Sequence, residues 1–159
     1  MAINPNTDFT PGAIFTAGQA DRFPRGVMAY ASSTTNYTLT TTTAVATGMT
    51  ATFTAEANRY YKVTYYEPQV QTANLATATT RTSIRLTNAT GTQYVLTVAQ
   101  NETAASINFT LIAEVVLTFT AGSVTLVGCA IASSTSGAPV LVRGSTSPAF
   151  IMVEDIGPA

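Results

Sequence analysis

Four tyrosines crowd one short stretch, NRYYKVTYYE, where Tyr60, Tyr61, Tyr65 and Tyr66 flank Lys62, the only lysine of the chain. Flat aromatic faces with hydroxyl tips suit stacking on a sugar or contact with a protein, while tyrosine is also simply favoured in strands. Catalytic chemistry has less to work with. Histidine is absent, which removes the commonest general base and metal ligand at neutral pH. A serine or cysteine nucleophile would need a lysine or carboxylate base, and Lys62 among tyrosines in a strand reads as a surface residue with its stem laid on apolar neighbours. The carboxylates Asp8, Asp21, Glu56, Glu67, Glu102, Glu114, Glu154 and Asp155 are scattered, and only the last two are adjacent. Strand neighbours point to opposite faces, so that pair does not converge on one bond. No phosphate-cradling glycine loop, zinc-binding spacing or acidic calcium loop occurs. The chain is not expected to be an enzyme, and no catalytic residue, metal or cofactor is implied.

The elements that would position these residues are strands. After Gly26 come VMAYAS, NYTLTTTT, GMTATFTA, RYYKVTYYEP, TSIRLTNATG, TQYVLTVAQ, SINFTLIAEVVLTFTAG, SVTLVGCAIAS, APVLVRG and PAFIMVED. Each is rich in Val, Ile, Thr, Tyr or Phe and bounded by Gly, Pro, Asn or Ser. The turn residues NATGT predict one hairpin and FTAGSV a second. Short strands at this spacing predict an all-β fold, an antiparallel β-sandwich of jelly-roll-like form.

Alternation along the strands assigns faces. Tyr61, Val63 and Tyr65 share one face, and Tyr60, Lys62, Thr64 and Tyr66 the other. In SVTLVGCAIAS, Val124, Leu126 and Ala130 oppose Val127, Cys129 and Ile131, and near the end Phe150, Met152 and Glu154 oppose Ile151, Val153 and Asp155. Strands apolar on both faces need a second cover, either a thick core or a subunit interface. Which tyrosine face is outward is not fixed, because a one-residue slip exchanges the two.

Before the strands lies a leader, DFTPGAIFTAGQADRFPRG. Pro11-Gly12 suits a turn with Gly12 at positive φ, and Thr16 is an N-cap for a short helix AGQADRF that Pro24 ends. Phe15 and Ala20 have the spacing of a weak hydrophobic staple. One or two helical turns are unstable alone, so this element must dock, either on its own sandwich or on a neighbour. The expected organisation is an N-terminal attachment arm, residues 1–26, with one small helix, and a β-sandwich domain, residues 27–159. The expected contacts of the arm are Phe9, Ile14, Phe15, Phe23 and Arg25.

Composition supports an assembled protein. Of 159 residues 46% are hydrophobic but only 9% charged, where about a quarter is usual. So little charge implies that much of the surface meets protein. A net charge of −1 without a basic run excludes the electrostatic footprint of nucleic-acid binding. The N-terminus lacks the pattern of a secretory signal, and LIAEVVL, broken by Glu114, is far short of the ~20 residues of a membrane span. Synthesis in a cytoplasm is expected. Cys129 has no cysteine partner and reads as a small buried residue. The sequons at Asn36, Asn88, Asn101 and Asn108 are expected by chance from threonine richness.

The stretch PNTDFTPGAIFTAGQADRFPRGVMAYA, in which an F-T-x-G-x-x-x-T-A-x-Q leader runs into R-F-P-R-G-V, resembles the N-terminal part of small structural virion proteins of tailed bacteriophages. ANRYYKVTYYEPQV, FTAGSVTLVGCA and VEDIGPA look like the same family, so the likeness covers most of the chain. The resemblance implies a virion part and supplies no catalytic residues to transfer. It frames the expectation of a non-enzymatic minor tail or fibre-like protein, a homo-oligomer with a trimer favoured, bound to neighbouring virion proteins. The alternatives are a capsid decoration or head-fibre protein and a carbohydrate-binding module for host-surface glycans, the latter drawing on Tyr60, Tyr61, Tyr65 and Tyr66.

Overall fold

A computed structural model describes residues 12, 14 and 16–159. In chain order the described elements are α1 (Ala17–Ala20), β1 (Gly26–Ser33), β2 (Tyr37–Thr38), β3 (Val45–Ala55), β4 (Arg59–Gln71), β5 (Thr79–Leu86), β6 (Gln93–Gln100), β7 (Asn108–Leu117), β8 (Gly122–Ala132), β9 (Val140–Val142) and β10 (Ala149–Pro158). All pairings are antiparallel. Strands β9 and β10 lie end to end along one edge of β4, and β1 and β2 lie end to end beyond them.

Counting each end-to-end pair as one row, the first row pairs with the last, β3 with β8, β4 with β7, and β5 with β6. This is a long hairpin rolled into two antiparallel sheets, the jelly-roll arrangement. Sheet A runs β1/β2, β10/β9, β4, β7, and sheet B runs β3, β8, β5, β6. At the margins of the sandwich β1 lies against β3, and β6 against β7. The Thr97 hydroxyl donates to the Ile112 carbonyl at 2.9 Å, capping a backbone group on the free edge of β7.

The core comes from one face of each strand. Met49, Phe53, Tyr61, Val63, Tyr65, Ile84, Leu126, Ile151 and Val153 form its larger part, and Leu39, Val70, Leu111 and Leu141 a second part toward the other end. Phe53, Tyr61 and Phe119 pack as a triad with ring centres 5.0–5.9 Å apart. Gly128 faces the Tyr65 ring so closely that an added Cβ would lie 2.9 Å from it, which accounts for a glycine inside β8.

NATGT does close a hairpin, with Asn88 Oδ1 accepting from the Thr90 N–H at 2.9 Å between β5 and β6. FTAGSV does not. Strands β7 and β8 belong to different sheets, so the bend at Gly122, φ 140°, carries the chain across the sandwich. A turn sequence dictates a change of direction and leaves the partner open. NYTLTTTT contributes only the two residues of β2. Pro68 lies inside β4 but at the break where pairing with β10 gives way to β9, so no ladder needs its missing N–H.

Candidate interaction surfaces

The leader is built as its residues require, but in a shorter form. Gly12 has φ 84°. The Thr16 side chain accepts from the Gln19 N–H at 3.3 Å, and the Gln19 side chain accepts from the Thr16 N–H at 2.9 Å, a complete capping box. The helix stops at Ala20 rather than continuing to Phe23, because the next bonds, Arg22 N–H to Gln19 and Phe23 N–H to Ala20, tighten to three-residue spacing ahead of Pro24. No residue of α1 is buried.

What fastens this segment is an ion pair beneath it. Arg59, the first residue of β4, is bonded by its guanidinium to Asp155 of β10, and their side chains are 5% and 0% exposed. The same guanidinium donates to the Asp21 carbonyl at 2.6 Å and the Phe23 carbonyl at 2.7 Å. These are carbonyls at a helix end that would otherwise lack partners. Burial pushes the Asp155 carboxyl up, but hydrogen bonds from Arg59 and from the Gly157 N–H outweigh it and hold the group below its ordinary value. Arg25 adds a surface pair with Glu56 and a longer one, 3.7 Å, with Asp21.

The expected attachment residues therefore fall into three groups. Phe9 and Phe15, and with Phe15 the staple to Ala20, lie outside the described residues. Ile14 is 87% exposed and Phe23 40% exposed. Arg25 is engaged by Glu56 and Asp21 of its own chain, so it serves the root of the arm before it can serve a neighbour. Sequence reasoning placed Asp155 on a strand face but missed its pairing with Arg59. The available signal was an arginine opening one strand and an aspartate closing another, with nothing local to pair either.

The tyrosines separate by face. Tyr61 and Tyr65 are 0% exposed, which corrects their assignment as glycan or protein contacts, since no part of either ring reaches solvent. Tyr65 donates to Glu67, itself fully buried and bonded to Arg143, and the Thr47 hydroxyl lies 2.7 Å from the Tyr65 oxygen. Burial, with the Glu67 charge beside it, raises the Tyr65 phenol well above its ordinary value. Tyr60 and Tyr66 lie on the outer face of sheet A, half-buried. Tyr60 lines a depression with Asn58 and Phe119, whereas the Tyr66 ring stacks on Phe150 at 5.2 Å and Phe150 on Tyr30 at 5.9 Å. Stacking occupies one face each of Tyr66 and Tyr30, so this ladder helps hold β1, β10 and β4 together.

Lys62 pairs with Glu114 at 2.9 Å on the outer face. Glu154 points outward and Asp155 inward, as alternation requires. Among the described residues no three His, Cys, Asp or Glu side chains cluster to hold a metal ion, and no helix is long and apolar enough to cross a membrane. Three of the four sequon asparagines, Asn36, Asn88 and Asn101, bond within the chain through their side chains. Asn101 is buried with its amide donating to the Ala73 and Ala105 carbonyls, and Asn36 accepts from the Arg143 N–H.

No protein-family profile matches the chain, and no curated protein sequence matches it. Among solved structures it is similar to that of infectious bursal disease virus Gx strain, with 14% identity and a TM-score of 0.47 over 94% of this chain and 36% of that one. A mutant VP2 protein of the same virus in derived T=1 particles follows at 13% identity and 0.34, covering 95% of this chain and 44% of that one. The Gt strain gives 13% and 0.31, with 95% and 46% covered. The chain thus spans less than half the length of each, and its jelly-roll assignment rests on its own strand pairing.

Proposed function

We propose that the chain is a non-enzymatic structural component of a virion, a minor tail or fibre-like protein that forms homo-oligomers and docks on the particle through its N-terminal arm. In this reading residues 1–26 are the attachment element and residues 27–159 the sandwich domain. The observation that carries it is the root of the arm. A helix that buries no residue is held at its carbonyl end by Arg59 and Asp155, while Ile14 ahead of it stays exposed. Such a segment is fixed to its own sandwich at its carbonyl end, and its exposed apolar side chains suit a neighbour that covers them. The resemblance to virion proteins of tailed phages and the low charge of the chain point the same way.

The test is the position and copy number of the protein in purified particles, by quantitative peptide counting and antibody labelling in the electron microscope. A few copies at the tail tip support the tail assignment. Coverage of the head moves the role to capsid decoration or head fibre, and absence from particles overturns the virion reading. Deleting residues 1–15 leaves the Arg59 contacts intact, so a folded deletion variant that still enters particles at the wild-type level refutes attachment by the arm. A host-glycan role has less support, because only Tyr60 and Tyr66 of the four tyrosines reach the surface.

A further inference from the structure

The margin where β6 meets β7 carries an unusual set of side chains. On the sheet B flank Leu96 and Val98 project outward from β6, and on the sheet A flank Ile112 and Val116 project outward from β7. All four are exposed, and the Thr97 to Ile112 bond places the two pairs on either side of one seam. That bond takes one carbonyl on the free edge of β7.

Charge divides across the seam. On the sheet B flank Arg81, the β5 neighbour of Val98, is exposed and its side chain makes no hydrogen bond or ion pair among the described residues. Arg85 on the same face bonds only neutral groups, Ser83, Gly91 and Gln93. On the sheet A flank Glu114 stands between Ile112 and Val116, bonded to Lys62, with Glu154 one strand beyond. One flank is therefore apolar with unpaired positive charge, and the other apolar around Lys62, Glu114 and Glu154, two carboxylates against one ammonium.

We propose that this seam lies along the symmetry axis of a cyclic oligomer, where the flank of Ile112, Glu114 and Val116 in one copy meets the flank of Leu96, Val98 and Arg81 in the next. Rotation about an axis parallel to the strands brings the sheet A flank of one copy against the sheet B flank of its neighbour, whether two or three copies close the ring. Apolar side chains then cover one another, and Arg81 finds the carboxylate it lacks within its own chain. An axis along the sheet normal would set like flanks together and leave Arg81 unpaired. The inference rests on the homo-oligomer reading and names the surface it uses.

The experiment is sedimentation equilibrium of the full chain with three variants, Val98→Asp, Arg81→Glu and the charge swap Arg81→Glu with Glu114→Arg, each checked for a cooperative thermal transition. Wild type should be an oligomer, Val98→Asp a monomer, and Arg81→Glu weaker in association by about tenfold, with the swap recovering most of the loss. A monomeric wild type overturns both the oligomer and the seam. An oligomer undisturbed by Val98→Asp and Arg81→Glu overturns the seam alone and leaves the oligomer standing. Arg81 is exposed, so its variant keeps the question decidable should Val98→Asp fail to fold.

Discussion

Strand β4 carries a buried ion pair near each end of its core-facing row, and the two do different work. Arg59 with Asp155 is turned toward the arm, and the guanidinium spends its remaining donors on the Asp21 and Phe23 carbonyls. Arg143 with Glu67 lies about 26 Å along the strand, eight residues at ~3.3 Å each. There the guanidinium turns inward, to Glu67 and the Thr47 carbonyl. Around it the ladders are broken: β9 gives way to β10, β1 to β2, and β3 bulges between Ala46 and Met49. One pair ties an appendage to a finished sheet, and the other closes the gaps inside it. A buried charge pair is weak evidence of net stabilisation, but removing one partner leaves a charge that nothing solvates.

Replacing either Arg143 or Glu67 by alanine should cost about 3–5 kcal/mol in urea unfolding, and Arg143→Met with Glu67→Leu should cost much less than either alone. Arg59→Ala should fall at the low end of that range, ~3 kcal/mol, and carry a signature its counterpart lacks. Tryptic cleavage after Arg22 and Arg25 should accelerate under conditions where the sandwich remains folded. Equal acceleration in Arg143→Ala would erase the distinction.

Gly128→Ala probes the inner network through packing. A methyl group 2.9 Å from the Tyr65 ring must displace it from Thr47 and Glu67, at about 1–3 kcal/mol by thermal unfolding. The smallest effects come with pH and act on the two ends at opposite extremes. Asp155 has a depressed value, so its contribution is complete above the unfolded aspartate range, about 4, and is lost as pH falls through the lower folded value. Amide signals of Asp21, Arg22, Phe23 and Arg25 should therefore broaden in acid before those of β4. Tyr65 is raised, so its contribution is complete below the ordinary phenol value, ~10, and is lost as pH rises through the folded value. Alkaline unfolding should accordingly be later in Tyr65→Phe than in wild type, once the two are matched for stability at neutral pH.

Much of the architecture was legible in short-range pattern. Thr16 reads as an N-cap and NATGT as a hairpin turn, because both depend on residues within a few positions. Pairing over long separations left no such mark. FTAGSV promises a hairpin as plainly as NATGT does, yet β7 and β8 part to different sheets, β7 pairing with β4 and β8 with β3. The arm residues were legible as apolar and short of a core, whereas the arginine that fastens them lies 36 and 38 positions downstream of the carbonyls it binds.

Alternation alone determined that Tyr61, Val63 and Tyr65 travel together, opposite Tyr60, Lys62 and Tyr66, since successive side chains of an extended strand leave on opposite sides. It also set Glu154 apart from Asp155. Which set would be dry was decided only when sheet B closed over sheet A. Burial is a property of what lies across the gap, and the tyrosines that pack there against Phe53 and Gly128 meet residues brought in from other strands of the roll.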